Sequence, residues 1–255
     1  MAKAVLKLNS SPSITGTVGE LGWLPISDQL DINRIAYYSY VSKLPETRIT
    51  KMVYRELRNL HNAGTATNFK YFNNIRQLFV KNGLDHMFEC NNDICPLPKF
   101  KQFTYARYTQ EFHTDIAEYP SLLHYRMVKS NTFAPEYIKS RSHSFKWIQL
   151  KFRLRTGISG IGEDLNRQHR DRGLCKYCGK YESIKHFIFE CNAYKFARET
   201  LYENIKAKCD PTTFSNFLCD QTMALYALLG DHDDIFNTYF LEFVSQAWPL
   251  RQRNE

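Results

Sequence analysis

The stretch Cys175-Lys176-Tyr177-Cys178-Gly179, followed by His186 and Cys191, reads C-x2-C-x7-H-x4-C. Three thiols and one imidazole in this order are the soft sulfur-and-nitrogen set that closes a tetrahedral zinc site, and the first pair has the two-residue spacing of a metal turn. Gly179, directly after the second cysteine, suits the left-handed backbone that such a turn needs. From Ser183 to Glu190 apolar residues recur at helical spacing, so His186 and Cys191 are expected to begin and end one helical turn. Cys175, Cys178, His186 and Cys191 are therefore the expected zinc ligands, with zinc in a structural role because all four positions are filled by protein. The bland alternative is a set of unpaired buried thiols beside a surface histidine.

Charge is concentrated around the same place. The 255 residues carry a net charge of +8. Between Lys139 and Lys180 there are 11 Lys or Arg against 3 Asp or Glu, whereas the other 213 residues hold 23 of each sign. A tri-thiolate zinc site is itself formally about −1, which balances only a fraction of that excess. Apolar residues at 43% and aromatics at 15% are too abundant for a disordered tail. The longest mostly apolar run, Met223 to Leu229, is far too short to span a bilayer, and the N-terminus lacks the apolar core of a secretory signal. Seven cysteines, an odd number with three in a metal pattern, point to a reducing compartment, nucleus or cytoplasm.

Outward from the motif the chain reads as mainly α, with helical bundle subdomains around a small CCHC zinc knuckle. Residues 1–20 lack periodicity and read as a tail or a broken element. Residues 21–89 form an N-terminal helical subdomain. In it Trp23 is expected to anchor the fold, and three helices are marked by Leu30, Ile35, Tyr38 and Val41, then Ile49, Val53, Leu57 and Leu60, then Phe69, Phe72, Ile75 and Phe79. Pro96 and Pro98 mark a break, where His86, Cys90 and Cys95 hint at a second metal site that lacks a fourth ligand. Residues 99–138 are connecting helices, with Tyr105, Tyr108, Phe112 and Ile116 on one face. Residues 139–205 hold the basic segment and knuckle. Residues 206–255 form a last packing unit built on Phe214, Phe217 and Leu218 and on a helix marked by Ile235, Tyr239, Phe243 and Trp248. Asp231, Asp233 and Asp234 read as caps of that helix, and Cys209 and Cys219 as buried thiols.

The basic stretch Phe145 to Arg155 is ambiguous. From Ile148 to Arg155 apolar and polar residues alternate strictly, which by periodicity alone favours a strand; a helix would spread the apolar residues almost all round. Either way Lys151, Arg153 and Arg155 are expected to project together beside Trp147 and Phe152, as a phosphate-contacting strip. Taken singly, those aromatics read better as part of a half-buried element. The expected nucleic-acid contacts are Lys146, Lys151, Arg153, Arg155, Arg167, Arg170, Arg172, Lys176 and Lys180, made to RNA or DNA through phosphates without sequence specificity.

Several segments together resemble a known family. They are Gly19-Glu20-Leu21-Gly22-x-Leu24-Pro25, Leu122-x-x-Tyr125-Arg126-x-x-Lys129, Pro135-Glu136-Tyr137-Ile138, Lys151 to Gly157, and the knuckle with its following Tyr194 and Arg198. This succession, from about residue 17 to 250, resembles the C-terminal, post-polymerase region of non-LTR (LINE-type) retrotransposon reverse transcriptases. The resemblance implies a mainly helical region that holds template RNA or target DNA, and it shifts the basic stretch toward helix. It does not extend to catalysis. The paired aspartates of a polymerase metal site, in an aromatic-x-Asp-Asp turn, are missing, and no endonuclease carboxylates can be assigned, so no catalytic residue is expected. A protein-interaction module with purely structural zinc, and a retroelement remnant without a selected role, are the alternatives.

Overall fold

The computed structural model describes residues 13–64, 70–89, 96–139, 143–168, 172–231 and 235–252. The protein is mainly α: among the described residues everything regular is helical except one isolated antiparallel bridge, Leu174 with Tyr181. Two compact units are present. One is Leu24–Glu111, and the other joins the residues up to Trp23 to Phe112–Glu255. The boundaries read from the sequence divide the chain differently. The proline break falls inside the first unit, and the unit boundary falls within an unbroken helix.

The N-terminal helix α1 (Ile14–Leu21) belongs to the second unit, so residues 14–21 are not a tail. Its Gly and Thr residues, which erased the periodicity, are what let it dock. A Cβ on Gly19 would lie 2.3 Å from Phe112 Cε2, and one on Gly16 would lie 3.3 Å from Leu122. Gly22 ends the helix at φ +65°. Trp23 is exposed and anchors nothing.

In the unit Leu24–Glu111, α2 (Ile26–Ser42) buries Ile32, Ile35, Tyr38 and Val41 at three-residue steps, while Leu30 is exposed. Helix α3 (Ile49–Asn62) faces inward differently from its apolar pattern: Tyr54 is buried and Ile49, Val53 and Leu60 are exposed. Arg58, one turn on from Tyr54, donates to Tyr38 and Tyr54 hydroxyls at 3.2 and 3.0 Å and to the Phe88 carbonyl at 3.1 Å, which holds that face inward. Helix α4 (Lys70–Lys81) buries Phe72, Ile75 and Phe79, and the short α5 (Asp85–Glu89) follows. Helix α6 (Leu97–Glu118) turns Phe100, Thr104, Tyr108, Phe112 and Ile116 inward at steps of four, and leaves Tyr105 exposed. Phe69, Cys90 and Cys95 lie outside the described residues.

The second unit continues with a 3₁₀ turn (Pro120–Leu122), α7 (Leu123–Val128), α8 (Glu136–Lys139), α9 (Phe145–Arg155) and α10 (Gly162–Arg167). After the knuckle come α11 (Lys195–Lys208), α12 (Pro211–Cys219), α13 (Gln221–Leu229) and α14 (Ile235–Gln252). Asp210 and Asp220 cap α12 and α13 by accepting from the backbone N–H groups of residues two and three ahead. Helix α14 packs against α9, α11 and α13 around Phe187, Leu201, Ile205, Leu225, Leu228 and Val244. Of the two cysteines expected inside, Cys209 is half-buried and Cys219 exposed; Leu218 is exposed as well.

The alternating stretch is helix α9, not a strand. Its solvent side carries Phe145, Lys146, Gln149 and Arg153, Trp147 is half-buried, and Ile148, Leu150, Lys151, Phe152, Leu154 and Arg155 are buried. Two of the expected phosphate contacts are therefore corrected: Lys151 and Arg155 have no exposed surface. Lys151 bonds Asn237 and lies over the Tyr137 ring, 4.6 Å from its centre. Arg155 bonds Asp231 and pairs with Glu20 at 3.3 Å, while Lys129 pairs with Asp231 at 3.1 Å and Tyr137 donates to Glu20. Burial works against the Arg155 charge, but Glu20, Tyr137 and Asp231 more than offset it and raise its pKa. For Lys129 burial wins, and its ammonium is lowered despite the same carboxylates. Asp231 is thus a half-buried partner of the interior cations Arg155 and Lys129, four residues before α14, rather than its cap; Asp233 and Asp234 lie outside the described residues.

Candidate metal centre

Local backbone geometry builds the centre from two pieces. In the first, a Cys175 N–H bond to the Lys180 carbonyl (2.7 Å) and a Gly179 N–H bond to the Cys175 carbonyl (2.8 Å) close a tight turn around Cys178, with Gly179 at φ +68° as expected. In the second, residues 186–190 adopt a π-helical turn instead of an α-turn, so that the Cys191 N–H reaches the His186 carbonyl at 2.9 Å. An α-turn relates residues four apart, whereas the H-x4-C ligands are five apart. The π-turn absorbs the extra residue and brings the two ligands together.

The four ligand atoms of Cys175, Cys178, His186 and Cys191 lie within 4.8 Å of one another and could hold a metal ion. Cys175 and Cys191 sulfurs are 3.8 Å apart, and the Cys178 sulfur is 3.2 Å from His186 Nε2. Thiolates about 2.3 Å from zinc on a tetrahedron would be ~3.8 Å from each other, so the donor set and its spacing are compatible with that ion. Glu190 Oε2 lies 3.3 Å from His186 Nδ1, which suits an Nδ1–H tautomer with Nε2 free to ligate. Burial pushes the Cys191 thiol up to about 12, whereas the Lys180 backbone N–H lowers that of Cys178. A cation at the centre would reverse the first of these, because ligation requires the thiolate.

The surroundings fix this geometry, and two of the residues that do so, Glu182 and Arg251, were not singled out by the sequence. Glu182 is buried and receives both Arg251 Nε and Nη2 at 3.0 Å, together with the Gly162 N–H at 2.7 Å. Its N–H bonds the Gly173 carbonyl at 2.7 Å, which ties the knuckle's return strand to α14. A Cβ on Gly162 would stand 2.6 Å from the Gly173 oxygen, so only glycine permits that approach. Arg198 donates to the Cys191 carbonyl at 3.1 Å, and Phe187 stacks edgewise on Tyr194, Phe243 and Trp248 beneath the site. Glu182 and Arg251 stand 69 residues apart in a chain rich in both types, and nothing in the sequence couples them.

The chain matches no protein-family model, no curated protein and no solved structure.

The expected nucleic-acid contacts do not form one strip. Lys146, Arg172, Lys176 and Lys180 are exposed, and Lys146 lies over the Trp147 ring at 4.7 Å. Arg153 and Arg167 are half-buried, and Arg167 donates to the Gly157 carbonyl at 3.3 Å and pairs with Glu163 and Asp164 at 3.5 Å. Lys151 and Arg155 are interior, as described above, and Arg170 lies outside the described residues. The cations still facing solvent lie on the knuckle itself and on the outer stripe of α9.

Proposed function

We propose that the chain is a zinc-stabilised nucleic-acid-binding module of the kind found after the polymerase in non-LTR retrotransposon reverse transcriptases, holding RNA or DNA by sequence-independent phosphate contacts. The observation that carries this reading is the convergence of a closed Cys3His ligand set with exposed Arg172, Lys176 and Lys180 on the same short loop. With zinc at the centre, Cys175, Cys178, His186 and Cys191 fill its coordination shell and leave no position for a reactive water, so the metal organises the binding surface and does no chemistry. Zinc analysis of the purified chain, with gel shifts of RNA, single-stranded DNA and duplex DNA at several salt concentrations, tests it. If Lys146, Arg153, Arg172, Lys176 and Lys180 contact phosphates, the log–log salt slope on duplex is roughly −4 to −5. Micromolar protein that shifts none of the three in a salt-sensitive way refutes the proposal.

A second reading, a protein-interaction module with structural zinc, draws support from the exposed Ile49, Met52, Val53 and Leu60 on α3. Charge reversal at Lys176 and Lys180 separates the two. It weakens nucleic-acid binding and flattens its salt slope under the first reading, and leaves a protein partner bound under the second.

A further inference from the structure

We propose that the outer face of the knuckle, centred on Tyr181, seats an unpaired nucleobase, so that the protein binds single strands in preference to duplex; this rests on the nucleic-acid reading above. Exposure alternates along the ribbon: Arg172, Leu174 and Lys176 face out, and Gly173 and Cys175 face in. Across the bridge, Cys175 N–H bonds the Lys180 carbonyl and Glu182 N–H bonds the Gly173 carbonyl, which makes Leu174 and Tyr181 a non-hydrogen-bonded antiparallel pair. In such a pair the opposed side chains lie closest and on one face. Leu174 and Tyr181 are 46% and 47% exposed, a small apolar platform with Arg172 and Lys176 on the same outward face.

Gly173 sets the tilt of the ring. A Cβ there would meet Tyr181 Cε2 at 2.9 Å and Asn166 Cβ at 3.0 Å, so the phenol rests against bare backbone beside Asn166. It borders a shallow cavity of about 420 Å³, lined by Glu163, Asn166, Arg167 and Tyr181. The lining offers an amide that both donates and accepts, a carboxylate and a guanidinium, the groups that read a base edge. Glu163 and Arg167 are held in place by each other, by the Ile184 N–H and by the Gly157 carbonyl. One aromatic side chain flanked by Arg172 and Lys176, beside a polar recess, matches a splayed base whose flanking phosphates meet the cations. A base pair within a duplex keeps its π-faces stacked on its neighbours and cannot use the platform.

The test uses the zinc-loaded full chain, with fluorescence anisotropy of a labelled oligothymidylate, an oligoadenylate and a duplex of the same length at one salt concentration. The Tyr181→Leu variant keeps an apolar side chain in the bridge. It is expected to lose roughly 5- to 100-fold in single-strand affinity, with zinc content, duplex affinity and salt slope unchanged, while Tyr181→Trp retains binding. The exposed Asn166→Ala variant is expected to change the oligothymidylate-to-oligoadenylate ratio without altering the salt slope, and it decides the matter if Tyr181→Leu loses zinc. A wild-type chain that binds neither strand type refutes the nucleic-acid reading and this inference together. Salt-sensitive binding that ignores Tyr181→Leu and Asn166→Ala, or that falls equally on duplex and single strand, overturns this inference alone.

Discussion

Replacing Arg155 by alanine distinguishes a buried ion pair from a phosphate contact, because the two roles predict opposite readouts. Arg155 has no exposed surface and sits between Glu20 and Asp231, with Tyr125 and Tyr137 rings against its guanidinium at 5.4 and 5.3 Å. Removing it leaves Glu20, itself fully buried, without its ion-pair partner, and leaves Lys129 to balance both Glu20 and Asp231. Breaking one side of such a buried pair costs about 3–5 kcal/mol, since the orphaned carboxylate keeps its desolvation penalty. In a unit of roughly 170 residues each kcal/mol moves the midpoint by about 2–4 °C, so thermal unfolding of the zinc-loaded protein, followed by circular dichroism, should fall by roughly 6–20 °C. Glu20→Gln in the same chain should recover part of the loss, with a coupling of about 0.5–3 kcal/mol in the double-mutant cycle. Nucleic-acid affinity measured well below the new midpoint should be unchanged. An Arg155→Ala protein that melts like wild type but binds nucleic acid more weakly would refute the buried-pair reasoning and restore Arg155 to the surface.

The other expectations are shorter. Gly162→Ala places a methyl carbon 2.6 Å from the Gly173 carbonyl oxygen; the overpacking should destabilise by about 1–3 kcal/mol and loosen zinc in a chelator competition. Gly179→Ala meets nothing within 4 Å, but stands at φ +68°, so a smaller cost of about 1–2 kcal/mol is expected from the same measurement. Because burial holds the Cys191 proton up to about 12 in the metal-free protein, that proton must leave when zinc binds. Zinc affinity should therefore weaken as pH falls, about tenfold per unit for each proton released, which titration against a chromogenic chelator at several pH values measures. Reversing Lys176 and Lys180 to Glu, both exposed, should flatten the salt slope by about 2 and leave the unfolding free energy within about 1 kcal/mol of wild type.

Much of this protein was legible in the residues. The metal ligands lie within one short segment, where spacing dictates what can meet, and the Cys-x2-Cys turn with its left-handed Gly179 formed as the pattern requires. Helices with ordinary amphipathic faces, such as α4, were equally readable. The π-turn was not: helical spacing foretold a turn between His186 and Cys191, but the extra residue it had to absorb was visible only in the backbone hydrogen bond that closes it.

What the tertiary structure alone decided is which charges face water. Lys151 and Arg155 sit in a basic segment and alternate with apolar neighbours, so binary pattern sends them outward and makes the stretch look like a strand. Their partners are distant: Asp231 is 76 residues from Arg155, Asn237 is 86 from Lys151, and Glu20 reaches Tyr137 across 117. A cation goes inside only where an opposite charge or a well-placed acceptor waits for it. That condition is met by residues brought together in the fold, and no local window of the chain contains it. The sequence by itself determined a helical protein with a Cys3His centre; the fold turned Lys151 and Arg155 of its expected basic strip into core residues and left Arg172, Lys176 and Lys180 exposed on the knuckle.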